Sequence, residues 1–250
     1  MVGDKRMTRA IIISVEYGDI LELTLPYNRE FFDEVLVVSV ESDAKTLQVC
    51  ADNDVAVHCT DAFYRKNAIF NKFAALEEGL DVLGRKDWML VLDADILIPQ
   101  RRPEFKPREG NIYTPHRRIW DPIPSVVPDE RLWRTKRRTL ANEEFAGYFQ
   151  YFHADDPVLR EKPWYQTDWT WAGGADSFFH EKWPAAKKVR PPFEVLHLGP
   201  PFTNWAGRVT PFVDGTVHEK AADRTGIREM LIKARRTSTR GGRFLKEKIR

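Results

Sequence analysis

Two carboxylates pose the first chemical question. Asp93 and Asp95 stand two residues apart within Trp88–Pro99, WMLVLDADILIP, where one apolar run, Met89–Leu92, delivers them and a second continues to Pro99. Alternate side chains of an extended chain share a face, so the two acids would lie side by side and repel each other unless something positive sits between them. A hard divalent cation suits that place, because Mg²⁺ takes one or two protein carboxylates and completes its shell with phosphate oxygens and water. An ordinary acidic loop at a strand end would have the same residues, so the rest of the chain has to decide.

Two further groups bear on the decision. Asp176 follows Gly173-Gly174-Ala175, where glycine lets the backbone pass close to a ligand, and it stands where a helix over Asp176–Lys182 would begin, a position that also suits a helix cap. His197 closes an apolar run, Phe193–Leu198, just before Gly199-Pro200-Pro201. A histidine there can ligate a metal or be satisfied within the protein.

The elements that must position these residues are written in the periodicity. Ala10–Val15 and Glu34–Val40 read as buried strands, Asp54–His58 as a short third one, with helices opened by Gly18-Asp19 and near Thr46–Ala51 between them. That alternation predicts a parallel sheet with right-handed crossovers, which binds ligands at the carboxyl ends of its strands. Lys66–Leu83 places Ile69, Phe70, Phe73, Leu76 and Leu80 at helical spacing and stops at Gly84, feeding the strand that carries Asp93.

After Pro99 the character changes. Arg101–Pro128 reads as long loops with one strand-like piece at Asn111–Pro115, and loops of that length in a compact domain point to function. Phe145–His153 reads as an aromatic-rich strand and Trp164–Trp171 as an aromatic cluster. Arg224–Arg236 reads as an amphipathic helix, and Thr237–Arg250 as a basic tail.

The bulk numbers bound the class. A chain of 250 residues that is 42% hydrophobic can bury one large α/β core. No apolar run approaches the ~20 residues of a membrane span, and the charged start, MVGDKRMTR, leads into a strand and not into a signal core, so a cytoplasmic protein is expected (host cytoplasm for a viral one). Cys50 and Cys59 have neither zinc nor redox spacing and read as reduced, buried thiols. The net charge of +2 hides two basic stretches: Arg101–Arg138 has eleven Lys/Arg against five Asp/Glu, and Arg228–Arg250 nine against two. Such stretches can serve a polyanion or form a solvated face and tail.

The order Ser14–Tyr17, Asp43, Phe70-Asn71-Lys72, Leu92-Asp93-Ala94-Asp95, Gly173-Gly174-Ala175-Asp176 and His197-Leu198-Gly199 resembles nucleotide-sugar-dependent glycosyltransferases of the GT-A fold, family 2-like, over about Ala10–Arg208. The resemblance implies an α/β fold of GT-A type, with a Rossmann-like, mostly parallel sheet flanked by helices and a loop-rich C-terminal acceptor side. It implies one domain over 1–236, with a nucleotide-binding half at 10–99 and an acceptor and metal half at 100–210, and a basic tail at 237–250. By the same resemblance Ser14, Val15, Glu16 and Asp43 would hold base and ribose, and Asn71 and Lys72 would approach base or diphosphate. Asp93 would lie near the ribose or metal, Asp95 and His197 would ligate Mn²⁺ or Mg²⁺, and Asn204 and Arg208 would contact the diphosphate, for which the Arg fork is suited. Asp176 would be the general base, which implies inversion at the anomeric carbon. Ala175 stands where many relatives carry a second acid, and His197-Leu198-Gly199 resembles metal-binding ends of retaining members, so retention stays open as well.

The acceptor is read from charge. Basic stretches interleaved with Trp120, Trp133 and Phe244 suggest hydroxymethyl-pyrimidine DNA of a bacteriophage type, whose extruded base would stack on aromatic rings. A glycan or small-molecule acceptor is the alternative. From other classes, a HAD-type phosphohydrolase with Asp93 as nucleophile would open on its Asp-x-Asp instead of following a complete βαβαβ half, and a non-catalytic nucleic-acid-binding protein would bind DNA without turning over a donor.

Overall fold

The computed structural model describes residues 7–139, 147–201 and 203–217. Its first half is built as the alternation predicts. Strand β1 (Thr8–Ile13) leads to helix α1 (Gly18–Asn28), β2 (Glu34–Ser39), α2 (Ala44–Asp52), β3 (Ala56–Cys59), α3 (Lys72–Leu83) and β4 (Trp88–Asp93). Strands β2 and β4 both pair parallel to β1, and β3 parallel to β2. Central strands are apolar on both faces because helices cover both. Ile11, Leu36 and Val38 pack towards Phe73, Leu76 and Leu80 of α3, while Ala10, Ile12 and Val37 pack towards Leu21 and Leu25 of α1 and Val49 of α2.

Beyond β4 the chain adds β5 (Ile96–Leu97), β6 (Ile112–Tyr113), β7 (His116–Trp120), the one-turn helix α4 (Glu130–Trp133), β8 (Phe149–His153), α5 (Ala175–Glu181), β9 (Lys188–Val189) and β10 (Glu194–Leu198). Among the described residues the large sheet runs β3-β2-β1-β4-β8-β6-β9, and β5-β10-β7 form a small second one. Strand β8 lies antiparallel to β4, so the sheet is mostly, not wholly, parallel. The class is thus the expected α/β one, with irregular connections concentrated after Pro99.

Three expectations change. Asp95 does not continue an extended strand: β4 ends at Asp93, residues 94 and 95 form a turn, and the chain re-enters as β5. Helix α3 begins at Lys72, not Lys66, because the Asn71 side chain accepts from the Ala74 amide and caps it. Ile69 and Phe70 match the helical spacing yet lie before this cap. Strand β7 falls in a stretch read as loop. The predicted helix Arg224–Arg236, the tail at 237–250 and the whole of the basic stretch at 228–250 lie outside the described residues, as do 145–146 of the predicted aromatic strand. No helix among the described residues is long and apolar enough to cross a membrane.

Candidate active site

The turn that carries Asp95 is fixed from two directions. Helix α1 grips it through buried side chains: Thr24 Oγ1 donates to the Ala94 carbonyl at 2.6 Å, Asn28 Nδ2 donates to the Ile96 carbonyl at 2.7 Å, and Asn28 Oδ1 accepts from the Ile98 amide at 2.9 Å. From the other side the Leu198 amide donates to the Asp95 carbonyl at 2.9 Å, and β5 pairs antiparallel with β10, setting His197 opposite Ile96. The pairing brings two residues a hundred positions apart into contact: His197 Nε2 lies 3.5 Å from Asp95 Oδ2.

Both groups are buried, and both are set up to receive something. His197 Nδ1 lies 3.1 Å from the Gly199 carbonyl, which can only accept, so that nitrogen donates and Nε2 is the ring atom that faces Asp95. Asp95 Oδ1 is buried with no hydrogen-bond partner. Burial pushes the Asp95 carboxyl above its ordinary range; His197 opposes this, and the like charge of Asp93 adds to it. A bare buried carboxylate oxygen beside an imidazole nitrogen fits a divalent cation, which would use both. Among the described residues no third His, Cys, Asp or Glu completes a cage, so such an ion would keep positions open for ligand oxygens.

Around this pair opens a cavity of about 780 Å³, lined by Val15, Lys72, Asp93, Asp95, Asp176, His197 and Asn204 among others. Lys72, the first residue of α3, forms an ion pair with Asp93. Burial disfavours the Lys72 ammonium, but Asp93 outweighs it and the group is held above its usual value. Asp176 sits in the first turn of α5, where its carboxylate accepts from the Gly147 amide at 2.8 Å and the Ser177 amide at 2.9 Å. Burial raises its carboxyl, and the Gly147 amide and Lys72 pull it part of the way back. A side chain at Gly147 would put its Cβ 2.9 Å from that of Asp176.

The other expected residues do different work. Ser14 is fully buried and bonds Thr46 Oγ1 at 3.1 Å. Asp43 caps α2, accepting from the amide and hydroxyl of Thr46 and from the Glu16 amide at 2.5 Å. Asn71 caps α3 and donates to the Thr167 carbonyl at 2.9 Å. None of these three, nor Glu16, lines the cavity. Asn204 does, but its side chain organises its own loop, accepting from the amides of Val209 and Thr210. Arg208 is fully buried and corrects the diphosphate assignment. All five of its N–H groups are taken up within the protein, by the carbonyls of Glu16, Thr210 and Pro211 and by both oxygens of Asp19.

The structure also brings in residues to which the motifs gave no role. Tyr17 lines the cavity, and burial followed by the charge of Asp95 raises its phenol well above the ordinary value. Arg117 reaches the cavity from β7, its guanidinium 4.4 Å over the Tyr148 ring. Trp169, Trp171 and Trp205 form an aromatic wall near Asp176, with Trp171 and Trp205 edge to face at 74°. A Cβ at Gly173 would fall 2.6 Å from the Trp171 ring, so that ring lies directly on backbone. The basic stretch at 101–138 spends part of its charge internally: Arg118 and Arg138 both pair with Glu194, Arg131 with Asp129, and Lys106 with Glu104.

The strand order, with the Asp-x-Asp at the end of β4 and a second sheet that carries His197, gives an α/β fold whose main sheet is mostly parallel and flanked by helices. No family model and no curated protein matches the chain. Solved structures overlap it partially. A mannosyl-3-phosphoglycerate synthase from Rubrobacter xylanophilus is 18% identical over 59% of this chain and 53% of that one, with a TM-score of 0.37. A glucosyl-3-phosphoglycerate synthase from Mycobacterium tuberculosis, solved with Mn²⁺, uridine diphosphate and glucosyl-3-phosphoglycerate, is 13% identical over 78% of this chain and 71% of that one, with a TM-score of 0.43. A 4-diphosphocytidyl-2C-methyl-D-erythritol synthase from Anaerococcus prevotii is 15% identical over 74% and 87%, with a TM-score of 0.40. The chain thus spans about half the length of the first of these.

Proposed function

We propose that this chain is a metal-dependent glycosyltransferase that moves a sugar from a nucleoside-diphosphate sugar to an acceptor hydroxyl. The observation that carries the reading is the buried, unpartnered Asp95 Oδ1, with His197 Nε2 3.5 Å from the other carboxylate oxygen, just past the carboxyl end of β4 in a cavity that also holds Asp176. Asp95 and His197 would hold Mn²⁺ or Mg²⁺, with Asp93 close by, and the bound ion would offset the charge of a leaving diphosphate.

The remaining work falls to the protein's own groups. Lys72 balances Asp93 and gives the diphosphate side a fixed ammonium. Asp176, held by two amides, would accept the proton of the acceptor hydroxyl as that oxygen attacks the anomeric carbon. The amide bonds that hold its carboxylate also favour the ionised form that a base needs. Val15, Glu16 and Asp43 belong to the loop ends that would shape the nucleotide side, Asp43 through the Glu16 amide that it holds.

The acceptor follows from the wall of three tryptophans beside Asp176, which suits a ring with an apolar face. Both a sugar ring and the extruded base of hydroxymethyl-pyrimidine DNA have one. The internal ion pairs of Arg118, Arg131 and Arg138 favour the glycan, because these side chains are already matched by carboxylates and have less to offer phosphates. The phosphohydrolase reading is disfavoured by Asp93 itself, whose carboxylate is tied to Lys72 instead of being poised to attack.

A thermal-shift screen of nucleoside-diphosphate sugars with and without Mn²⁺ tests the class, since a ligand that binds only the folded state raises its apparent stability. The expected result is a metal-dependent rise with one donor; no rise with any donor would sink the reading. Transfer of radiolabel from that donor to glycans, to hydroxymethyl-pyrimidine duplexes and to unmodified DNA then separates the acceptors. Covalent labelling of Asp93 during phosphate release would move the assignment to the phosphohydrolases.

A further inference from the structure

Arg208 carries an inference that goes beyond this chemistry. It is 0% exposed, and its guanidinium lies between the rings of Tyr17, at 5.0 Å, and Phe212, at 4.4 Å. Its bonds reach in two directions along the chain. Towards the nucleotide side it donates to the Glu16 carbonyl at 2.7 Å and to both carboxylate oxygens of Asp19, one of them at 2.9 Å. Towards its own segment it donates to the carbonyls of Pro211 at 2.7 Å and Thr210 at 3.3 Å. Asp19 Oδ2 accepts in addition from the Val213 amide at 2.7 Å.

The loop that it grips is strained. Glu16 has φ of 62°, in the left-handed region that a residue with a side chain rarely occupies. Its N–H is held by Asp43 and its C=O by Arg208, so the conformation is fixed from both ends. The flanking residues Val15 and Tyr17 both line the cavity. The segment on the other side of Arg208 supplies Asn204 and Trp205 to the same cavity, and Trp205 is tied to the glycine-rich stretch by the Ala172 amide, which donates to its carbonyl at 2.8 Å.

We propose that Arg208 is a positioning residue that joins the donor and acceptor sides of the cavity into one unit, with Asp19 as its partner. It touches neither substrate; it fixes the Glu16 turn from the segment that presents Trp205. The planar fork is essential, because a lysine ammonium at this place would offer three donors from one point and could not meet both oxygens of Asp19 and three carbonyls. The inference rests on the cavity being the donor and acceptor site, and its test reads the tie both with and without a ligand.

The experiment uses the full chain and three variants: Arg208→Lys, Arg208→Met and Asp19→Asn. Hydrogen–deuterium exchange is followed on peptides covering residues 14–19, 171–173 and 203–213. Binding of UDP, GDP, ADP and CDP is measured separately, each with MnCl2. The expected result is exchange at least tenfold faster at 14–19 in Arg208→Lys and Asp19→Asn, together with at least tenfold weaker binding of the diphosphate that the parent prefers. Folded variants in which exchange quickens only within 203–213 would overturn the proposal and leave Arg208 as a local brace. Unchanged diphosphate binding despite faster exchange at 14–19 would overturn it too. If Arg208→Met does not fold, Asp19→Asn keeps the guanidinium and decides alone. If the parent binds no diphosphate, the glycosyltransferase reading falls, while exchange at 14–19 still tells whether the tie exists.

Discussion

His197 Nε2 and Asp95 Oδ2 lie 3.5 Å apart, and the other carboxylate oxygen of Asp95 is buried without a partner, the arrangement on which the proposed metal site rests. Asp95→Asn and His197→Ala are each expected to weaken Mn²⁺ binding by at least about 100-fold, given that even outer partners of metal ligands are worth 10–100-fold. Isothermal titration with MnCl2 measures it. In the metal-free protein Asp95→Asn should be neutral or stabilising, because it removes a buried charge and its amide can donate to His197 Nε2. Titration within twofold of the parent would remove Asp95 from the metal site.

Asp176 should govern the acid limb of the rate profile. A base works as the carboxylate, so transfer rises with pH, and burial places that rise above the ordinary Asp value of about 3.9. Lys72→Met removes a charge that lowers the Asp176 value and should move the limb further up. Asp176→Asn should cost about 10²–10⁴-fold in transfer rate. The stability effect has a definite sign. The folded value lies above the unfolded one, so the contribution of the protonated group is fully present below the unfolded pKa and is lost as pH rises through the folded value. Melting curves of Asp176→Asn and the parent should therefore converge in acid and separate in favour of the Asn form towards neutrality.

Gly147 tests how closely Asp176 must be held. In Gly147→Ala the new methyl would come within 2.9 Å of the Asp176 Cβ and displace the carboxylate. A displacement of about 1 Å in a reacting group can cost about 100-fold in rate. Single-turnover transfer is expected to slow by about that factor while Mn²⁺ affinity stays near the parent value, since Asp95 lies in the turn after β4 and His197 on β10. Equal losses in both would mean that the substitution disturbs the site as a whole.

Asn28 tests the grip of α1 on the Asp95 turn. Asn28→Ala would leave the Ile96 carbonyl and the Ile98 amide unpaired in the interior, at about 1–3 kcal/mol each. Urea unfolding should show a loss of about 2–5 kcal/mol, with weaker Mn²⁺ binding in the protein that remains folded. A change below half a kcal/mol would show that water replaces the side chain and that the turn holds itself.

Much of this was legible in the chain. Buried runs such as AIIISV and EVLVVSV announce their strands because both faces of a central parallel strand are covered. Asp95, Asp176 and His197 stood out because each follows an apolar run or a glycine pair, which is how a polar group is brought to an edge. The rest was hidden for physical reasons. In β7, HRRIW, the inward positions are Arg117 and Ile119, and a buried arginine breaks the apolar alternation that marks a strand. Arg208 and Asp43 looked like ligand contacts because a residue type shows what a group can bond, not whether the protein already uses those bonds. Asn28 and Thr24 gave no signal, since a polar residue on a helix face reads as solvent-exposed until the turn it serves is in place.

The pairing of β5 with β10 also sets a timetable for synthesis. Strand β5 leaves the ribosome directly after Asp95, yet its partner, with His197, follows about a hundred residues later. Strands β1 to β3 can pair as they emerge, and β4 can join them beside β1 before its other neighbour, β8, is made. A nascent chain halted before Glu194 would own the nucleotide half and both acids of the β4 end but have no imidazole beside them. In the proposed reading, competence to hold a cation is therefore acquired late, and a truncated product would carry the carboxylates without His197 beside them.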